Sequence, residues 1–263
     1  MKAKLTHKLA NEPWAIRPEY HSTLVEAAHA YHYEEDEDGG PYEPPTPEEV
    51  DGIAIIHIHG PLGKMLTDWE LMFGMTDYDD IATQLAEADA NPNVTAILLH
   101  IDSPGGTITG LPELAAKMRA VEKPLVAYTE GTAASAAYWI ASQADNVLLS
   151  QSAEVGSVGV YIALLDQSEY LRNQGLRVNA IAAGENKLDY ADFKPLSDEA
   201  RERLQANVNK WHDRFKDDIN VKRTVPGDSM TGQVYEGLEA VEAGLADGVI
   251  DDLQDVIALM TNL

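Results

Sequence analysis

The chain has 263 residues, 44% of them hydrophobic, which is enough for one large domain or two small ones and excludes a disordered protein. It has no cysteine, so disulfides, thiolate catalysis and cysteine-based zinc sites are excluded. Its formal charge of −25, from 44 acidic and 19 basic residues, disfavours nucleic acid and anionic membranes as partners.

The first 50 residues divide into two segments that differ in composition. Residues 1–32 form an N-terminal arm, with one helix expected from about Ser22 to Tyr31. Residues 33–50 combine an acidic run with two glycines and four prolines, which is typical of a flexible linker. The sequence shows neither the pattern of a signal peptide nor an apolar stretch of membrane-spanning length. We therefore expect a soluble cytoplasmic protein without a membrane anchor, whose main domain is residues 51–263.

From residue 52 onward, apolar segments of strand length alternate with helical segments. Strands are predicted at 52–60, 94–102, 124–130, 146–150, 157–164 and 176–183. Helices are predicted at 76–89, 111–121, from Ser135 onward, and 197–224. The end of the chain follows the pattern helix, short strand, helix. This alternation predicts an α/β protein with a largely parallel sheet and crossover helices.

Two loops rich in small residues follow the two most apolar strands. The first contains Ser-Pro-Gly-Gly at 103–106, where paired glycines could expose amide groups to an oxyanion or simply form a turn. The second loop, residues 129–135, leads into a helix with Ser135 at its first turn. A serine at this place is commonly an N-cap. The helix dipole and the Ala136 amide would equally favour a nucleophile, because both stabilise a developing oxyanion.

A nucleophilic serine needs a base, and histidine is the usual one. His57, His59 and His100 lie in or beside predicted strands, but none has a defensible Ser-His-Asp spacing. We interpret them as polar strand residues. His57 and His59 share one strand face without an obvious third ligand, so no metal site is predicted.

Several motifs occur in a fixed order that is more specific than any one of them. They are IDSPGG at 101–106, the segment 127–145 around Ser135, VGSVGV at 155–160, AAGENK at 182–187 and VYEGLEAVEAGLADGVID at 234–251. Together they resemble the signal peptide peptidase A family of serine proteases, over roughly residues 8–256. The arm sequence LANEPWAIRPEY resembles the phage branch of that family, the lambda-type capsid-assembly (prohead) proteases. The resemblance implies an α/β fold of the ClpP/crotonase type.

The resemblance implies a catalytic dyad of serine and lysine. Carried onto this chain, the nucleophile is Ser135 and the base is Lys187 of the AGENK motif, with Lys194 as the rival lysine. Ser157 of VGSVGV would hydrogen-bond the lysine amine and orient it. An ordinary lysine has a pKa of about 10.4, so a lysine base must be desolvated to lose its proton near neutral pH. We therefore expect Lys187 to be buried away from carboxylates.

The same resemblance implies an oxyanion hole and an extended substrate. Gly105 or Gly106, together with the amide of Ala136, would form the oxyanion hole. Many relatives have glycines after the nucleophile, where this chain has Ala136 and Ala137, which narrows the site slightly. A peptide substrate would pair its backbone with a strand edge beside the site.

The implied function is cofactor-free proteolysis of scaffold and coat proteins during phage or prophage head assembly, in the host cytoplasm or the prohead. The implied assembly is a homo-oligomer in which neighbouring subunits can share one dyad. The long helix with its apolar stripe and the small-residue helix after Ser135 are the predicted contact surfaces.

Three other functions remain open on the sequence. A soluble cellular signal-peptide-peptidase-like protease would use the same dyad. A crotonase-type acyl-CoA enzyme would share the fold, but residues 101–140 offer few cations for the CoA phosphates: Lys117, Arg119 and Lys123. A non-catalytic scaffold-binding protein would not need Ser135 and Lys187.

Overall fold

The computed structural model describes residues 13–21 and 44–261, apart from the side chain of Trp69. The helix predicted from Ser22 to Tyr31 and most of the predicted linker lie outside these residues. The strands are, in chain order, β1 (Trp14–Ile16), β2 (Glu48–Val50), β3 (Ile53–His59), β4 (Leu62–Gly63), β5 (Thr76–Asp77), β6 (Ala96–Asp102), β7 (Gly105–Thr107), β8 (Leu125–Thr129), β9 (Thr132–Ala134), β10 (Asn146–Leu149), β11 (Glu154–Gly156), β12 (Val234–Glu236) and β13 (Gly248–Val249). The helices are α1 (Asp68–Met72), α2 (Tyr78–Ala90), α3 (Leu111–Arg119), α4 (Ala136–Ala141), α5 (Ser168–Asn173), α6 (Asp198–Ile219), α7 (Gly237–Glu242) and α8 (Leu253–Met260), with a 3-10 turn at Gly227–Ser229.

A six-stranded sheet forms the centre of the molecule, in the order β13-β10-β8-β6-β3-β2. All neighbours in it are parallel except β2, which pairs antiparallel with β3 at one edge. Strand β6 is buried on both faces, as its nearly continuous apolar run predicts. Helices α2, α3 and α4 pack on one face of the sheet, and α8 packs on the other. The prediction of an α/β protein with a largely parallel sheet is confirmed.

Short strands continue the main strands beyond the carboxyl edge of this sheet. Strands β4, β7, β9 and β11 follow β3, β6, β8 and β10 along the chain. They belong to two small sheets, with the orders β1-β7-β4-β5 and β12-β11-β9. The carboxyl ends of β6 and β8 therefore lead directly into the two small-residue loops, residues 103–106 and 129–135, that are candidate sites on the sequence.

Two predicted strands are absent from the described residues. Residues 157–164 contain only an isolated bridge, between Tyr161 and Trp14, because the regular pairing of β11 ends at Gly156. Residues 176–183 have no strand and lie exposed, although their apolar residues favour extended backbone. A strand needs a hydrogen-bonded neighbour, and no described strand pairs with this segment.

The long helix forms nearly as predicted, and Ser197 begins it by accepting a hydrogen bond from the amide of Ala200. Its apolar stripe is covered only toward its C-terminal end, where Phe215 and Ile219 are buried. Among the described residues, no helix has both the length and the apolar character needed to cross a membrane.

Candidate active site

Ser135 occupies a sharp turn between strand β9 and helix α4. Its φ of 56° and ψ of −117° are unfavourable for a side chain, a strain of order 1–3 kcal/mol that tends to be kept at functional sites. Its amide donates to Gly156 O at 2.7 Å, and its carbonyl accepts from the amide of Trp139 at 2.9 Å. The hydroxyl makes no capping hydrogen bond, although Ser135 stands at the N-cap position. Capping by the side chain therefore does not explain this serine.

Helix α4 holds the serine against the core. All six of its residues are buried. The Trp139 indole stacks on Phe215 at 4.4 Å between ring centroids and donates to Asp218 Oδ2 at 3.1 Å. The Tyr138 hydroxyl donates to Leu245 O at 2.9 Å. The expectation that this small-residue helix is a surface between subunits is wrong, because all of its residues are buried within one subunit.

Gly105 lies beside the amide that follows the serine. Its φ of 105° favours glycine, and an ideal Cβ there would lie 3.0 Å from Ala136 N and 2.9 Å from Ala134 O. The Gly105 amide donates to Ser103 Oγ at 3.2 Å. Gly106 faces strand β4 instead, since a Cβ on it would lie 2.0 Å from Leu62 O. The structure thus brings Gly105, rather than Gly106, next to Ala136 and the nucleophile position.

Ser157 lies beside Ser135 because two short strands pair with each other. Strands β9 and β11 are parallel, with Ala134 opposite Gly156. The residues that come next are Ser135 and Ser157, so the two serines leave their strands side by side. Ser157 also has a positive φ, of 52°, and its amide donates to Gln233 O at 2.6 Å.

Lys187 lies elsewhere, in an irregular stretch between α5 and α6. It is exposed, whereas Ser135 is only 1% exposed, and no hydrogen bond within the described residues joins them. The nearby Asp189 carboxylate accepts from Arg203 Nε at 3.0 Å and is thereby held by another partner. The burial expected for a lysine base is therefore not provided by the described part of a single chain.

The N-terminal arm covers the strand edge beside the serine. Strand β1 pairs antiparallel with β7, with Ala15 opposite Gly106 and Ile16 opposite Gly105. On its other side, Trp14 exchanges two backbone hydrogen bonds with Tyr161, at 2.9 and 3.0 Å. The edge where an extended substrate is expected is thus already occupied by the chain itself.

The sequence also missed a histidine cluster on the main sheet. Strands β3 and β6 pair in parallel, with His57 opposite His100. His100 thereby becomes a neighbour of both His57 and His59, and the ligand atoms of all three lie within 4.8 Å of one another. The sequence pattern shows no third ligand beside His57 and His59. The pairing register of β3 and β6 brings His100 to them, and this register cannot be read from the sequence.

Two family models match the chain. The model described as Peptidase family S49 matches residues 117–263, and the model described as Clp protease matches residues 69–154. The second match agrees with the ClpP-type arrangement of parallel sheet and crossover helices. Among solved structures, an enoyl-CoA hydratase/isomerase family member aligns with a TM-score of 0.46 and 16% identity, over 82% of this chain and 74% of that one.

Curated relatives include phage and bacterial proteins. Head-tail preconnector protein GP5 of Enterobacteria phage P21 is 33% identical over 216 residues, which are 80% of this chain and 43% of that protein. Capsid assembly protease C of Escherichia phage lambda is 30% identical over 230 residues, 85% of this chain and 52% of that protein. Protease 4 of Salmonella typhi is 29% identical over 226 residues, 83% of this chain and 36% of that protein. The chain thus spans about half the length, or less, of these relatives. Because the S49 model covers more than half of its residues, the chain belongs to peptidase family S49.

Proposed function

We propose that the chain is a serine endopeptidase that uses Ser135 as nucleophile and Lys187 as general base. The observation that carries the proposal is the strained Ser135, held at the start of a buried helix beside Gly105 and the Ala136 amide. An amide at a helix start can donate to the oxyanion of a tetrahedral intermediate, and the helix dipole adds to its effect.

The proposed reaction uses both side chains in turn. Ser135 Oγ attacks the scissile carbonyl while the neutral amine of Lys187 accepts the hydroxyl proton. The resulting ammonium gives its proton to the leaving amine as the peptide bond breaks. A water molecule then gives a proton to the same amine and attacks the acyl-enzyme carbonyl, and the amine passes that proton to Ser135 Oγ as the ester bond breaks. Ser157, which lies beside Ser135, would hydrogen-bond the lysine amine during these transfers.

The lysine is proposed to act in a neighbouring subunit. A lysine base requires desolvation, yet Lys187 is exposed in the single chain. The segment before it carries exposed apolar side chains, with Leu176 59%, Val178 48% and Ile181 101% exposed. Contact with a second copy would bury these side chains and remove water from Lys187 in one step. A homo-oligomer is therefore part of the proposal.

A cavity lined partly by residues that follow Lys187 offers room for that contact. It measures about 610 Å³ and lies between the N-terminal half of α6 and residues 160–166 and 189–196. Leu204 and Val208 of α6 line it and are only half-buried. The uncovered part of the apolar stripe on α6 thus faces this cavity, in agreement with the predicted role of the long helix in subunit contact.

The proposed substrates are proteins of phage head assembly. The support is similarity to proteins named as a capsid assembly protease and a head-tail preconnector. The charge of −25 favours neutral or basic polypeptides over nucleic acid. A soluble protease that acts like a signal peptide peptidase would use the same site on other polypeptides.

The acyl-CoA alternative loses support from two of the three cations in residues 101–140. Lys123 Nζ donates to Ala88 O and Asn91 O, both at 2.6 Å, at the C-terminal end of α2. Arg119 bonds to Gln143 in the interior. Neither side chain is therefore free to bind a CoA phosphate.

A serine-reactive fluorophosphonate probe tests the proposal. We expect the wild type to be labelled on Ser135, and both Ser135→Ala and Lys187→Ala to lose labelling. Ser168→Ala, which removes a serine at the start of the exposed helix α5, is the matched control and should label normally. Labelling that persists in Ser135→Ala would refute the assignment.

A further inference from the structure

Three imidazoles meet on the face of the main sheet that also carries α8. His57 Nδ1 lies 3.1 Å from His100 Nδ1. The ring centroids of His57 and His100 are 5.2 Å apart, and His59 lies 5.3 Å from the first and 5.4 Å from the second. The ligand nitrogens therefore all lie within 4.8 Å of one another above strands β3 and β6.

A carboxylate lies near the Nε2 atom of two of these rings. His57 Nε2 lies 3.3 Å from Glu48 Oε2, and His100 Nε2 lies 3.6 Å from Glu130 Oε2. Histidine ligands of metal sites commonly donate their second N–H to a carboxylate, which orients the ring and frees the other nitrogen for the metal. The cluster has this arrangement at His57, whereas Glu130 lies just beyond hydrogen-bond distance of His100.

We propose that His57, His59 and His100 bind one divalent transition-metal ion of the Zn²⁺ type, with a fourth position open to water. Zinc bound to nitrogen at about 2.0–2.1 Å in a tetrahedral site separates its ligand atoms by about 3.4 Å. The two Nδ1 atoms at 3.1 Å are already close to that separation. An ion here links β3 to β6, directly before the loop that carries Gly105.

Zinc titration of the chelator-treated full chain tests the site. We expect one Zn²⁺ per chain by calorimetry and elemental analysis, and a higher melting temperature in its presence. His59→Gln and His100→Gln should each weaken binding by at least about tenfold. His212→Gln is the matched control, because His212 lies on α6 and contacts Met230 O instead. It should bind zinc like the wild type.

Two outcomes would contradict the zinc site. A chain that binds no zinc at a concentration of about 100 µM would overturn the proposal, since an open three-histidine site binds far more tightly. Affinity unchanged in His100→Gln, with the fold checked by circular dichroism, would do the same. As a second measurement, visible absorption of bound Co²⁺ should change in the histidine variants and remain constant in His212→Gln.

The N-terminal arm carries a second inference, which rests on the proposed function. The arm residues Trp14, Ala15 and Ile16 are buried between β7 and Tyr161. An ideal Cβ built on Gly105 would lie 2.3 Å from Ala15 O and 3.0 Å from Ala136 N, so these two atoms are at most 5.3 Å apart. The Ala15 carbonyl thus stands close to the amide proposed to bind the oxyanion.

We infer that the arm competes with substrate for this groove and must leave it before cleavage. An extended peptide recognised at a sheet edge needs the backbone groups of β7, and those groups pair with β1. Arg17 holds the arm in place through an ion pair with Glu154, and its amide donates to Pro104 O at 3.1 Å. The ion pair joins the arm to β11, which leads to Ser157.

Charge reversal of this ion pair tests the inference. Arg17→Glu should release the arm and raise the rate of fluorophosphonate labelling of Ser135 by about threefold or more. The double variant Arg17→Glu, Glu154→Arg should restore the wild-type rate. A synthetic peptide of residues 9–20 should slow labelling of Arg17→Glu when added back.

The results separate this inference from the proposed function. Equal labelling rates in the wild type and Arg17→Glu, or no effect of the peptide, would overturn the competition while leaving Ser135 as nucleophile. Slower labelling of Arg17→Glu would also overturn it, because the arm would then support the site. Absence of labelling in every variant would refute the nucleophile instead.

Discussion

The neighbourhood of Ser135 and the stretch between α5 and α6 that carries Lys187 are built in opposite ways. Around Ser135, short strands pair on both sides and every residue of α4 is buried. Around Lys187, the backbone is irregular and large apolar side chains such as Ile181 are exposed. The chain therefore packs Ser135, the proposed nucleophile, into its own core and leaves Lys187, the proposed base, at its surface.

Ser135 and Lys187 therefore differ in what surrounds them. The strain at Ser135 persists because the packed core around it over-determines its backbone. Desolvation of Lys187, in contrast, needs surface from outside the described chain. Substitutions near Ser135 should therefore lower the stability of the subunit, whereas substitutions near Lys187 should change its assembly.

Complementation of two inactive variants has the largest expected effect. Ser135→Ala and Lys187→Met should each lower peptidase activity by about a thousandfold or more, since each removes one member of the dyad. Co-expressed in equal amounts, they should recover about a quarter of the wild-type activity, because that share of interfaces pairs an intact serine with an intact lysine. Lys194→Met is the control and should retain activity.

The measurement is peptide hydrolysis by purified mixed oligomers. No recovery in mixtures shown to contain both chains would place the serine and lysine of one site within one subunit. The exposure of Lys187 in the single chain would then not reflect a site shared between subunits.

Gly105→Ala tests the rigidity of the Ser135 region. The new Cβ would lie 2.3 Å from Ala15 O at a φ of 105°, so both contact and backbone oppose it. We expect a loss of about 2 kcal/mol or more in the free energy of unfolding, together with loss of labelling. Gly175→Ala is the matched control, because its φ of 71° is also positive but nothing lies within 4 Å.

Urea denaturation of both variants measures the difference. The control should cost only about 1 kcal/mol, the penalty for the backbone conformation alone. Equal losses in the two variants would show that the surroundings of Gly105 are no tighter than an exposed turn.

Ile181→Asp has the smallest expected effect on the folded chain. Because Ile181 is fully exposed, the melting temperature of the subunit should barely change. Sedimentation should nevertheless shift toward monomers, because a charge in an apolar contact is costly to bury. Val221→Asp, at another exposed apolar position after α6, should leave the oligomer intact. An unchanged oligomer in Ile181→Asp would show that this segment is not part of the interface.

Most elements that bury an apolar pattern could be predicted from the sequence. Strands β3, β6, β8 and β10 and helices α2, α3 and α6 lie where periodicity and caps place them. The failures are at residues 157–164 and 176–183, where the pattern favours strands but no described strand pairs with them. Local propensity indicates what a segment can form, whereas pairing depends on a partner that the sequence does not identify.

The sequence by itself determined the α/β architecture, the order of the motifs and the place of Ser135 at a helix start. These properties follow from local periodicity and small-residue loops, which act over a few neighbouring residues. Only the tertiary structure decided that Gly105 rather than Gly106 adjoins Ala136, that Lys187 is exposed, and that β1 fills the groove. The same holds for the meeting of His100 with His57 and His59. Each of these depends on strand register between distant segments, where a shift of one residue would turn the side chains to the opposite face.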